Sequence, residues 1–133
     1  MKSTPSALGA QAELAVASAL TSSGKQVYLP FFAAHGRVDL VFEDEVGFHR
    51  VQCKTSRLVG DALIFRTCSN TNNVPKDYRG EVDLFGVYCP QNRKCYLVPA
   101  ESVRGYRCFL RLVPPKNGQK TRIRWASDYE LPG

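Results

Sequence analysis

Apolar and polar residues alternate with a period of two along most of this chain, and with a helical period only near its start. Ala7 to Leu20 is rich in alanine and has no interior proline, which predicts a helix. Ser3, Thr4, Pro5 and Ser6 supply a capping side chain and a first-turn proline, and Ser22, Ser23 and Gly24 supply the stop. Val16 and Leu20 fall at +3 and +7 from Glu13, and Gly9 at −4. This places Glu13 on the apolar stripe, with Gly9 permitting close approach of another element. A carboxylate there is costly unless it is paired or binds a metal; the alternative is an edge residue that reaches water. Lys25 to Phe32 predicts a strand with Val27, Leu29 and Phe31 on one face, and Pro30 marks an edge or an end.

The stretch Gly36 to Arg57 predicts two strands and a turn. Val38, Leu40 and Phe42 alternate with Arg37, Asp39, Val41 and Glu43. Glu43, Asp44, Glu45 and Gly47 form the turn, and Phe48 to Thr55 resumes the alternation. Gln52 and Lys54 are two apart and leave one face; Val51 and Cys53 leave the other. Further strands are predicted at Ala62 to Thr67, Glu81 to Tyr88, Lys94 to Pro99 and Tyr106 to Val113. A short helix starts near Pro99, and Thr121 to Trp125 reads as a short last strand. The polar run Cys68 to Lys76 has no period and reads as a loop. Such a loop can reach into a nucleic-acid groove or serve as plain surface.

Composition narrows the class. With 133 residues, 44% hydrophobic and 23% charged, the chain is expected to be one globular domain over residues 1–133. No apolar run reaches membrane-spanning length, and MKSTPSALGAQAEL lacks a secretory hydrophobic region. Five cysteines without a C-x-x-C pair argue against a zinc site or a full disulfide framework. They read as reduced thiols of a cytoplasmic protein. The net charge of +6 arises entirely after residue 55. From Arg104 to Arg124 there are seven basic residues and no acid: Arg104, Arg107, Arg111, Lys116, Lys120, Arg122 and Arg124. That bias suits a polyanionic partner, although a soluble surface also carries such residues.

Candidate chemistry centres on the hairpin. Asp39, Gln52 and Lys54 put an acid, an amide and a lysine on adjacent strands. Carboxylate and amide oxygens are hard ligands suited to Mg²⁺, and a lysine beside such an ion can orient or deprotonate water. The same three residues could also be a solvated sheet face. The spacing D-x12-Q-x-K resembles the PD-(D/E)xK nuclease superfamily. Val38 stands where its motif has proline, and Gln52 stands where Asp or Glu is usual, which removes one negative charge. QxK is found in the branch of small nucleases encoded in group I introns and their free-standing relatives. The run VDLFGVYCPQNRKCYLVPAESV resembles the second half of that branch, through Val82, Asp83, Phe85, Tyr88, Tyr96, Leu97, Val98 and Pro99. These residues read as core and framing; Asp83 is either a second acid near the site or, in preference, an anchor for the adjacent loop. The resemblance covers roughly Leu8 to Val103.

The resemblance implies an α/β fold: a central mixed sheet flanked by helices, with a restriction-endonuclease-like core and extra β-hairpins. It implies a homing-endonuclease-like enzyme that hydrolyses DNA, with Glu13, Asp39, Gln52 and Lys54 as catalytic residues. Mg²⁺ (or Mn²⁺) would be held by Glu13, Asp39, the Gln52 oxygen and the Cys53 carbonyl. The expected partners are double-stranded DNA and further copies of the chain, as a dimer or tetramer. Expected DNA contacts are Arg57, Arg66, Lys76, Arg79, Arg104, Arg107, Arg111, Lys120, Arg122 and Arg124, and His35 is a further candidate for phosphate. Thr55 and Ser56, after the lysine, could also bind phosphate. A Holliday-junction resolvase with the same core, and an inactive nucleic-acid-binding module, remain alternatives.

Overall fold

The computed structural model describes residues 5–32, 36–71, 74–77, 80–114, 117–118 and 123–132. Helix α1 spans Pro5–Ser22. Its end is closed by Gly24 at φ 85°, with Lys25 N–H donating to the Leu20 carbonyl at 3.0 Å, a left-handed stop that glycine allows. The strands are β1 (Gln26–Tyr28), β2 (Leu40–Glu43), β3 (Phe48–Thr55), β4 (Arg57–Val59), β5 (Ala62–Arg66), β6 (Cys68–Thr71), β7 (Val74–Asp77), β8 (Leu84–Cys89), β9 (Lys94–Pro99) and β10 (Arg107–Arg111). Short 3-10 turns follow at Ala100–Ser102 and Ala126–Asp128. No helix among the described residues is long and apolar enough to cross a membrane.

Five strands form the central sheet in the order β1-β2-β3-β8-β9. β3 and β8 run parallel at its centre, with Gln52 opposite Phe85 and Lys54 opposite Val87; the other pairs are antiparallel. The sheet is therefore mixed, as expected for this α/β fold. Alternation along β3 sends Val51 and Cys53 to one face and Gln52 and Lys54 to the other. On the Val51 face α1 lays down Ala12, Val16 and Leu20, one residue per turn, against Leu40, Phe42, Val51 and Tyr88. On the opposite face a second sheet, β10-β5-β4, packs Leu63, Phe65, Cys108 and Leu110 against Phe85, Val87 and Val98. Among the described residues α1 is the whole α-helical layer, and a sheet takes the place of a second one.

Several boundaries differ from the sequence expectations, each for a local reason. β1 stops at Tyr28 because Pro30 has no N–H to donate, and Leu29 and Phe31 are exposed. Val38 does not join Leu40 and Phe42. It packs in the opposite core cluster, because regular strand geometry begins only at Leu40. The polar run after residue 67 is a hairpin, not a loop, with Ser69 opposite Lys76 and Thr71 opposite Val74. Backbone pairing needs no apolar period, so the side-chain pattern did not announce it. β4 was also missed; its three residues are all exposed and carry no alternation.

Asp83 anchors neighbouring strands, close to its expected role. It accepts from Arg50 N–H at 2.7 Å, Nε at 3.1 Å and a terminal guanidinium nitrogen at 3.0 Å. The Arg50 guanidinium holds the Asp83 carboxyl below the usual carboxylate range. The tie locks the start of β3 to the start of β8.

α1 packs closely on the sheet at Gly86. A Cβ there would lie 2.7 Å from Val16 Cγ1 and 3.0 Å from Val51 Cγ1, inside van der Waals contact. Gly9, in contrast, faces open space and permits no close approach. Gly86→Ala is expected to destabilise the fold by about 1–3 kcal/mol through overpacking, read by denaturant unfolding, whereas Gly9→Ala should not.

Candidate active site

Asp39 precedes β2 at the point where β2 meets the Gln52–Cys53 step of β3. Its backbone N–H donates to the Val51 carbonyl at 2.8 Å, and its Oδ2 accepts from the Cys53 N–H at 2.8 Å. These two bonds fix both the backbone and the carboxylate. Asp39 is partly buried, and loss of water is the largest effect raising its pKa, to about 6. The Cys53 N–H pulls the value down. The Glu13 carboxyl pushes it up, by like charge and by a side-chain hydrogen bond, and Lys54 draws it down. Glu13, Asp39 and Lys54 thus act on one another electrostatically, although they come from a helix, a strand entry and a central strand.

Glu13 reaches this cluster by a different route from the one expected. The buried stripe of α1 is Ala12, Val16 and Leu20, and Glu13 is exposed beside it. One position, or 100° around a helix, separates Ala12 from Glu13. That rotation carries Glu13 out of the core and to the rim of the sheet.

Gln52 and Lys54 share a face of β3, as the alternation required. Gln52 Oε1 is buried and has no hydrogen-bond partner. A buried carbonyl oxygen without a donor is costly, so a cation beside Asp39 would complete it. Carboxylates, an amide oxygen and a backbone carbonyl are hard-oxygen donors, whose chemistry suits a divalent ion. Among the described residues no three His, Cys, Asp or Glu side chains gather in one place as a metal site. Lys54 Nζ donates to the Cys68 carbonyl at 3.4 Å, which joins the site to the root of the β6–β7 hairpin. Burial pushes the Cys53 thiol well above its ordinary value, so the side chain is a neutral core residue and only its backbone faces the site.

The hydroxyls that follow are committed to structure. Thr55 Oγ1 donates to the Leu8 carbonyl at 3.2 Å, tying the start of α1 to the end of β3, and Ser56 Oγ donates to the Tyr88 carbonyl at 3.2 Å. Their expected role toward phosphate is not supported by that arrangement. Arg57, Arg66, Arg104 and Arg107 are exposed. Arg111 Nε donates to the Val113 carbonyl at 3.3 Å, and Arg124 donates to the Ser102 carbonyl. Lys76 lies on β7, where only the backbone is described, and His35, Arg79, Lys116, Lys120 and Arg122 lie outside the described residues. Gly86 was missed as a positioning residue; its small size inside a strand of large apolar residues was the available signal.

A model of the PD-(D/E)XK endonuclease family matches residues 4–132. Comparison with curated protein sequences finds no match. Among solved structures, the chain is similar to a bacterial homing endonuclease, I-Ssp6803I. The two share 23% identity and a TM-score of 0.73 over 96% of this chain and 89% of that one. At that identity the likeness speaks for the fold.

The raised pKa of Asp39 sets a pH dependence. The folded chain holds this proton more tightly than the unfolded chain, whose value is near 3.8. The stabilisation it gives is complete below that value and is lost as pH rises through about 6. Metal-free protein should therefore lose stability between those limits, and Asp39→Asn should flatten that part of the profile, as read by thermal unfolding against pH.

Proposed function

We infer, since the chain belongs to the PD-(D/E)XK endonuclease family, that it is a divalent-metal-dependent endodeoxyribonuclease that hydrolyses phosphodiester bonds of double-stranded DNA in the manner of a homing endonuclease. The observation that carries the reading is the buried, unpartnered Gln52 oxygen beside an Asp39 whose carboxyl also feels Glu13 and Lys54. Residues 1–133 act as one nuclease domain, and the enzyme works as a homo-oligomer, a dimer or tetramer. The five cysteines are free and buried, in keeping with a reducing cytoplasm.

Asp39, Glu13, the Gln52 oxygen and the Cys53 carbonyl would hold the ion, Mg²⁺ or Mn²⁺. The Cys53 N–H donates to Asp39 Oδ2 and so holds this carboxylate in place for such a role. When bound, the ion supplies Lewis acidity at the phosphoryl oxygen and a lowered pKa for water. Lys54 Nζ orients the attacking water and balances charge that develops on the phosphoryl oxygens. The neutral Gln52 leaves Glu13 and Asp39 as the only charged side-chain ligands, which limits repulsion of the incoming phosphate. The fixed Asp39 carboxylate and the buried Gln52 amide preorganise the ligands before substrate arrives. Arg57, Arg66, Arg104 and Arg107, with the basic residues further on, neutralise the DNA backbone.

Purified protein incubated with Mg²⁺ and linear duplex, four-way junction or single-stranded DNA tests the assignment. Cleavage of linear duplex is expected. Preferred cleavage of the junction would favour a resolvase, and binding without cleavage an inactive module. Lys54→Ala should reduce cleavage about 10²–10⁴-fold with DNA affinity little changed; unchanged cleavage would remove Lys54 from the mechanism. By calorimetry, Glu13→Gln should weaken metal binding nearly as much as Asp39→Asn, and Gln52→Glu should tighten it. A parent-like Glu13→Gln variant would make Glu13 an ordinary helix residue.

A further inference from the structure

Asp39 is held firmly on its downstream side. Its N–H and its carboxylate are bonded to β3 at Val51 and Cys53, and β2 begins at the next residue. The upstream side lies outside the ladder. Gly36 to Asp39 belong to no strand, and the chain bends at Arg37. It also changes sides here. Val38 packs in the core between the two sheets, while Leu40 packs in the core under α1. In a regular strand residues i and i+2 share a face, so the backbone turns over at Asp39. A residue at such a crossover takes its orientation partly from whatever fixes the chain before it.

Arg37 supplies that fixation. Its guanidinium Nε is buried and meets a carboxylate oxygen of Glu81. The Arg37 side chain is 20% exposed and that of Glu81 38%, so the pair is largely withdrawn from water. Glu81 in turn stands on firmly held backbone. Val82 is buried in the same core as Val38. Asp83 N–H donates to the Arg50 carbonyl at 2.9 Å, and the Asp83 carbonyl accepts from the Ala100 N–H at 3.0 Å. We propose that the Arg37–Glu81 ion pair is a positioning device for Asp39: it fixes the chain before β2 and so sets where the Asp39 carboxylate lies.

The Arg50–Asp83 pair does a different job. It joins the starts of β3 and β8, not the chain before β2. The two pairs are alike in chemistry and are rooted in the same short stretch before β8, which makes the second a matched comparator for the first. Loss of one member of the Arg37–Glu81 pair leaves a charge withdrawn from water without its partner, and the lead-in to Asp39 must then rearrange to solvate it. A ligand set needs its geometry held to within about 0.5 Å. Removing the groups that orient a metal ligand costs about 10–100-fold in metal affinity. The link to a metal rests on the nuclease function proposed above; the positioning of the carboxylate does not.

The Cys53 N–H donates to Asp39 Oδ2 at 2.8 Å, so its amide resonance reports the place of the carboxylate without any metal. Amide NMR spectra of the full metal-free chain compare the parent, Arg37→Met, the charge-exchanged Arg37→Glu/Glu81→Arg, the comparator Asp83→Asn and the reference Asp39→Ala. The Cys53 signal of Arg37→Met should move toward its position in Asp39→Ala. The exchanged variant should bring it back toward the parent, and Asp83→Asn should leave it at the parent position. If Arg37→Met fails to fold, Arg37→Met/Glu81→Met, which strands neither charge, takes its place. A Cys53 signal unmoved in the Arg37 variant, or moved equally in Asp83→Asn, would overturn the proposal. Calorimetry with Mg²⁺ is read separately. Arg37→Met should bind the ion about 10-fold more weakly than the parent, with Asp83→Asn parent-like. A parent that binds no Mg²⁺ would overturn the nuclease reading, and the Cys53 signal would still decide the positioning. A parent that binds Mg²⁺ no better than Arg37→Met does would overturn the positioning and leave the nuclease reading standing.

Discussion

Everything at the candidate site depends on how closely α1 can approach the central sheet, and Gly86 decides that distance. Val16 sits where a side chain on β8 would otherwise stand, and Val51 of β3 closes on the same spot. Ala12 and Leu20, one turn to either side of Val16, complete the contact with the sheet. Thr55 fixes the other end of the arrangement by donating to the Leu8 carbonyl. With the helix pinned at both places, the residue after Ala12 has little freedom in where it lies. Glu13 therefore meets Asp39 at the sheet rim although it is itself exposed. A larger residue at position 86 would push back the whole helix, and with it this carboxylate.

The parallel β3–β8 pair is the second element of the arrangement. Its alternation divides β3 cleanly, with Val51 and Cys53 in the helix-side core and Gln52 and Lys54 on the other face. The cost is that the Gln52 oxygen is buried without a donor and the Asp39 carboxyl is partly removed from water. Both are destabilising in isolation, by the same desolvation of polar oxygen. Asp39 is tied to β3 on either side of Gln52, at Val51 and Cys53, so under the proposed function one cation would relieve both. Under the proposed function, this desolvation is what would favour a bound ion. Asp83 shows the contrasting case. The Arg50 guanidinium satisfies it on both oxygens, so it serves as a strand tie.

The sequence by itself determined the helix at the start, the central hairpin, the β8–β9 pair and the common face of Gln52 and Lys54. These follow from periodicities of 3.6 and 2 that are written in consecutive residues. Spacing and order were enough to point to Asp39, Gln52 and Lys54 as a group. Only the tertiary structure decided the rest. Whether Glu13 is inward or at the rim depends on a rotation of α1 that one apolar stripe leaves open by a residue. The turn of Val38 to the opposite core arises because β2 begins at Leu40, a fact set by its pairing with β3. The β6–β7 hairpin is held by backbone hydrogen bonds, which side-chain pattern does not encode. The need for glycine at position 86 exists only because α1 crosses there, and Tyr28 of β1 meets Phe48 of β3 only when both strands pair with β2. Local pattern reports the neighbours of a residue along the chain, while distance across the fold is set by packing between elements remote in sequence.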